Sequence, residues 1–270
     1  GNGYVFMYLP GETAAVPAGD LELQEMGAES TLSSFGYGRR YLERPVAVPV
    51  DPVSLPLTCL PGDQSRDEPV NPPLFGAVRD AAPDFWGRRV LEAKLNVPPN
   101  SVPESVYLLN AGPHRFGALD FRPDLTSPEA PGLLPPLTQL EYLVEAADRI
   151  QEGLPIPAQL EPIFTGGTMG GARPKALVLY HGEQYLAKFP AKNDGFNVPA
   201  VERACLELAR QAGLDVPTTD LKVLADGRHV MLIERFDRHA VGDGFARRHC
   251  ISALTLLGKH ETESLGTRYE

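Results

Sequence analysis

The stretch Thr165-Gly166-Gly167-Thr168-Met169-Gly170-Gly171-Ala172-Arg173-Pro174-Lys175 holds four glycines in six positions. Without β-carbons, successive backbone N–H groups can crowd around an anion, and phosphate is the candidate. A flexible surface loop is the other reading of any glycine-rich segment. Two familiar phosphate motifs fail here. Counted from Gly166, the Walker spacing would need Gly-Lys-Ser/Thr where the chain has Gly171-Ala172-Arg173, and Lys175 is followed by Ala176. That disfavours a P-loop hydrolase. A dinucleotide fingerprint should follow a strand and open a helix, whereas Pro162-Ile163-Phe164 is a poor strand and the residues from Ala176 onward are β-prone.

Downstream, Lys188 interrupts the apolar run Tyr185-Leu186-Ala187-Lys188-Phe189. A lysine there must reach solvent as an edge residue or meet negative charge, which a phosphate would supply. Glu202 falls near the start of the next helix, where a carboxylate also suits the helix dipole. A strand lysine on phosphates, held by a helix glutamate, is the protein-kinase arrangement, and loop, lysine and glutamate stand in kinase order. Val230-Met231-Leu232-Ile233-Glu234-Arg235-Phe236-Asp237-Arg238 then runs from an apolar strand straight into charge. In a kinase the strand leaves the small lobe at this point. A strand ending in a solvated loop is the alternative.

These residues need a scaffold. β-prone runs at Ala176–Tyr180 and Gln184–Phe189, joined by His181-Gly182-Glu183, predict a hairpin. A helix is expected from Pro199 to Ala212 with Val201, Cys205, Leu208 and Ala212 inward, and strands are expected at Leu221–Leu224 and His229–Phe236 around Asp226-Gly227. Earlier, short apolar runs bounded by Gly and Pro predict strands at Tyr4–Leu9, Phe35–Tyr41, Val46–Val50, Ser105–Leu109 and Phe116–Phe121. A helix is predicted over Asp84–Leu95 and a shorter one over Leu137–Gln151. Five prolines between Pro123 and Pro136 suit a connector.

Composition narrows the class. The 270 residues exceed the usual single core, and 25 basic against 35 acidic residues give a net charge of −10, unsuited to a dedicated nucleic-acid binder. Cys59, Cys205 and Cys250 are few, odd in number and far apart, which points to a reducing cytoplasm rather than a disulfide framework or zinc site. No run of about 18 apolar residues could span a bilayer, and Gly1 to Gly11 does not resemble a signal peptide.

With these motifs in place, the chain resembles the HipA-like serine/threonine kinases, toxins of bacterial toxin–antitoxin pairs. Asp80-Ala81-Ala82-Pro83-Asp84-Phe85-Trp86-Gly87-Arg88-Arg89 is similar to that family's Pro-Asp-x-Trp-Gly-Arg helix, and Arg115-Phe116-Gly117-Ala118-Leu119 to its Gly-Ala-Leu strand. Gly170 to Lys175, Lys188-Phe189-Pro190 and Glu234 to Arg238 resemble its loop, lysine strand and hinge. The resemblance implies an α+β fold: a β-rich N-terminal subdomain over 1–125, a linker with a short helix over 126–160, and over 161–270 a kinase-like small lobe of antiparallel sheet plus one helix, with hinge and the start of the large lobe.

It also implies ATP and Mg²⁺. Gly167, Thr168, Met169, Gly170, Gly171 and Ala172 would cover the phosphates, Lys188 would hold them with Glu202 as partner, the backbone of Glu234 and Phe236 would face adenine, and Asp237 would lie near the ribose. Thr168 stands where some members autophosphorylate a serine. A HipB-like helix-turn-helix antitoxin would be the partner, and DNA would be met only through it. The chain departs from the family in lacking a catalytic-loop Asp, its Asn and a metal-binding Asp; Asp194-Gly195-Phe196 and Asp243-Gly244-Phe245 have the wrong order and place. The expectation is therefore a fragment that ends before the helical large lobe and carries no catalytic residue of its own. A degenerate, non-catalytic module that binds an antitoxin or another protein is the alternative.

Overall fold

A computed structural model describes residues 2–25, 31–57, 74–166 and 170–259. The chain begins with β1 (Asn2–Tyr8), β2 (Ala15–Glu25), β3 (Thr31–Tyr37), α1 (Arg39–Leu42), α2 (Gly76–Ala81), α3 (Phe85–Leu95), α4 (Glu104–Asn110) and β4 (Leu119–Arg122). It continues with α5 (Leu140–Glu152), α6 (Ile163–Gly166), β5 (Lys175–Tyr180), β6 (Glu183–Lys188), α7 (Val198–Gln211), β7 (Thr219–Val223) and β8 (His229–Glu234). The last elements are β9 (Arg238–Val241), β10 (Gly244–Arg247) and α8 (Ala253–Leu256). The fold mixes helices with antiparallel sheets. Two compact units divide it: Gly1–Ala82, Asn100–Ala130 and Val241–Glu270 form the first, and Pro83–Pro99 with Pro131–Ala240 form the second.

The first unit is built on an antiparallel sheet in the order β3-β2-β1-β4. Val5, Met7, Leu21 and Phe35 enter its core together with Ala77 and Val78 of α2. Two predicted strands are overturned. Ser105–Leu109 lies inside α4, because Pro103 sits at its N-cap and Glu104 opens the first turn, where proline and an acidic residue favour helix over the β-prone Val-Tyr pair. Val46–Val50 forms no strand, since Pro45 and Pro49 lack the N–H a ladder needs. Tyrosine hydroxyls satisfy that backbone instead. Tyr41 Oη donates to Val48 O at 2.7 Å, while Tyr37 Oη donates to Leu55 O at 2.6 Å and accepts from Val50 N–H at 2.8 Å. Of Phe116–Phe121 only the end joins β4, and Phe35–Tyr41 divides between β3 and α1. Long β2 and short α2 had no counterpart in the sequence reading.

In the second unit the sheet order is β5-β6-β8-β7, antiparallel throughout. Trp86 and Val90 of α3 and Leu143, Ala147 and Ile150 of α5 pack with Ala176, Val178, Ala187 and Leu232 of the sheet. Burying a large apolar side chain such as Val90, Leu143 or Ile150 contributes about 1.5–3 kcal/mol, so this layer anchors both helices. α3 ends where expected, on Asn96 in the left-handed conformation. The predicted hairpin is present, closed by a two-residue turn, His181-Gly182, with both φ positive, rather than by three residues.

α7 is also present, begun by the Asn197 side chain accepting Ala200 N–H at 3.1 Å. It packs on β7 and β8, but the other way round from the sequence expectation. Val201, Cys205, Leu208 and Ala212 face out, with Leu208 65% exposed, and Pro199, Glu202, Arg203, Leu206 and Ala209 are the less exposed side. The ion pair from Glu202 to Lys188 requires that rotation. Among the described residues no helix is long and apolar enough to cross a membrane.

Candidate functional site

The hairpin builds the site. Its two-residue turn fixes the register so that Lys175 at the start of β5 lies directly opposite Lys188 at the end of β6. Directly opposed residues project from the same sheet face, so two ammonium groups share one side of the hairpin, an unfavourable arrangement unless negative charge joins them. Lys188 meets that need with the Glu202 carboxylate, the pairing the sequence anticipates.

Lys175 does not. It is 4% exposed, and among the described residues its Nζ has no hydrogen-bond partner. Burial, and then the neighbouring Lys188 charge, lower its pKa from the ordinary 10.5 to about 8, with Asp84 opposing the drop. A buried ammonium without a partner carries a desolvation cost that an incoming anion would remove. Lys175 was missing from the sequence-based site although it closes the glycine-rich motif. The period-2 alternation of β5 and β6 was the available signal, and the turn length had to be right to use it.

The glycine-rich loop approaches Lys175 from above the sheet. Gly171 has φ of +101°, and a Cβ built on it would lie 2.9 Å from Lys175 Nζ. Only glycine combines that backbone with that closeness. The loop is anchored by α3. Gly171 N–H donates to Asp84 Oδ2 at 2.5 Å, Trp86 N–H donates to Gly171 O at 3.3 Å, and the indole Trp86 Nε1–H donates to Lys175 O at 2.7 Å. Asp84 and Trp86 lie within the motif the sequence singled out, but no local signal tied them to the loop. On the loop's flank, Phe85, Trp86, Arg89, Ala172, Arg173 and Lys192 help line a cavity of about 520 Å³. There Arg173 pairs with Asp194, and Lys192 with Glu152. Gly167, Thr168 and Met169 lie outside the described residues.

After β8 the chain turns through Arg235-Phe236-Asp237-Arg238. Glu234 N–H donates to Thr218 O and Arg235 N–H to Gln184 O, both at 2.9 Å, while the Phe236 ring is 55% exposed. Asp237 is buried. Arg235 binds both of its oxygens, at 2.9 and 2.7 Å, and Arg238 adds a contact of 2.8 Å. Both guanidinium groups are buried with it, so the carboxylate fixes this turn. Among the described residues no cluster of three His, Cys, Asp or Glu could hold a metal ion.

Glycine backbone, a paired lysine and a second lysine with no partner among the described residues thus lie together at one end of the hairpin. Comparison with known families agrees with the motifs from Gly170 onward. Residues 167–270 match the family model described as HipA-like C-terminal domain. No curated protein matches the chain.

Proposed function

We propose, from the match of residues 167–270 to the HipA-like C-terminal domain model, that the second unit binds the phosphates of ATP and serves a serine/threonine kinase of the toxin–antitoxin type. The observation that carries this reading is the buried Lys175 ammonium beside Lys188, with no hydrogen-bond partner among the described residues. Lys175 and Lys188 hold phosphate oxygens, Gly170, Gly171 and Ala172 let the backbone approach them, and Glu202 keeps Lys188 extended toward them. Gly167, Thr168 and Met169 continue the loop, and Thr168 is its candidate phosphorylation site. The turn through Glu234 and Phe236 presents backbone to the adenine, its shape held by Asp237. ATP supplies the phosphoryl group. The described residues assign no place to Mg²⁺. In this reading β5 to β8 with α7 form the kinase-like small lobe, and the partner is a helix-turn-helix antitoxin.

Titration with a fluorescent ATP analogue tests the site. A charged hydrogen bond contributes about 1.5–3 kcal/mol, so Lys188→Met and Lys175→Met should each weaken binding roughly 10- to 150-fold. Unchanged affinity in both variants would overturn the reading.

A further inference from the structure

Asp84 occupies the N-cap of α3, and its backbone, at φ −74° and ψ −174°, is already in the extended conformation of a capping residue. Aspartate is among the best N-cap types, yet this one makes no side-chain capping bond to its own helix. Its carboxylate reaches across to the loop and accepts Gly171 N–H at 2.5 Å. Gly171 returns the favour: its carbonyl accepts the Trp86 N–H at 3.3 Å, one of the amides a capping side chain would otherwise serve. Helix start and loop are thus joined by two bonds at Gly171, its N–H to Asp84 and its carbonyl from Trp86, across segments more than 80 residues apart.

The same carboxylate is where an anion would be expected. It holds a glycine amide of the loop, a Cβ on Gly170 would lie 2.9 Å from its Oδ2, and it is the first carboxylate among those acting on Lys175. It is also exposed, so it can exchange partners without being unburied.

We propose that Asp84 is a two-position latch on the glycine-rich loop: its carboxylate holds Gly171 N–H until a phosphate takes that amide, and then rotates about χ1 to cap α3. The exchange conserves hydrogen bonds. Gly171 N–H passes from carboxylate to phosphate, and the carboxylate passes from Gly171 to the Trp86 or Gly87 amide, the N2 and N3 positions a capping side chain serves. Because the backbone of Asp84 already has capping geometry, release needs only a side-chain rotation. Asp84 is therefore a competitor of the ligand, and a positioning residue for the loop rather than a contact to phosphate. The proposal rests on the phosphate-site reading above.

The test is the affinity of the fluorescent ATP analogue for the wild-type chain, Asp84→Asn and Asp84→Ser, with hydrogen exchange at the Gly171 amide measured in parallel. Both variants keep a capping side chain and remove the charge. Loss of one like charge near the ligand should tighten binding about three- to ten-fold, and Gly171 should exchange faster than in the wild type without ligand. A passive brace predicts the reverse for affinity. Equal or weaker binding in both variants, with the wild type still binding, overturns the latch alone. Absence of binding in the wild type and both variants overturns the phosphate site and the latch with it.

Discussion

Replacing Lys175 by methionine should make the protein more stable at neutral pH while impairing its binding of phosphate. The lysine's pKa falls from 10.5 to about 8 in the folded state, a gap worth about 3 kcal/mol at 1.36 kcal/mol per pK unit. Below pH 8 the group is protonated in the folded and unfolded chain alike, so the fold bears the full cost of the buried charge. Between about 8 and 10.5 the folded protein has released the proton and the unfolded chain still holds it. Unfolded chains then bind more protons, and wild-type stability rises with pH. Methionine matches the length of the lysine stem, suits a buried strand position and carries no charge to desolvate. Urea unfolding of both proteins at pH 7 and pH 10 measures the difference. Lys175→Met should be the more stable by up to about 3 kcal/mol at pH 7, and most of that advantage should be gone at pH 10. A methionine variant less stable than wild type at pH 7, or a difference that ignores pH, would refute the argument that Lys175 is a buried charge awaiting a partner.

Two other substitutions probe the supports of the site. Trp86→Phe removes the indole donor to Lys175 O and leaves that buried carbonyl unsatisfied, so the urea midpoint should drop by the equivalent of about 1–3 kcal/mol; an unchanged midpoint would mean that the bond is dispensable. Asp237→Asn takes the charge from between two buried guanidinium groups and should destabilise by about 3–5 kcal/mol, read as a large fall in melting temperature; a shift within a degree or two would show that Arg235 and Arg238 do not depend on it.

What could be read from the sequence was what is encoded locally. The strand-strand-helix-strand-strand order of the second unit follows from β-prone runs, Gly-containing turns and an Asn-x-Pro helix start, and the Lys188–Glu202 pair follows from the likeness of that order to a kinase small lobe. The facing of α7 did not, because its sequence offers an apolar stripe through Val201, Cys205 and Leu208 as well as the stripe through Glu202, Leu206 and Ala209, and the choice is made by an ion pair to another element. Ser105–Leu109 was misread because side-chain propensity favoured strand while the preceding Pro103 and Glu104 favoured helix, and the start signals prevailed. The anchoring of the loop by Asp84 and Trp86 joins segments more than 80 residues apart, a proximity no local pattern carries.

The His181-Gly182 turn has a reach beyond its own two residues. Five strand steps at about 3.3 Å separate it from the lysine pair, roughly 17 Å, yet it is the ruler that decides which residue of β5 stands across from Lys188. One extra residue in the turn would slip one strand against the other by a single position and send alternate side chains to the opposite face. Lys175 and Lys188 would then be parted with neither of them altered, so the electrostatic character of the site is written partly in the length of a turn at the far end of the hairpin.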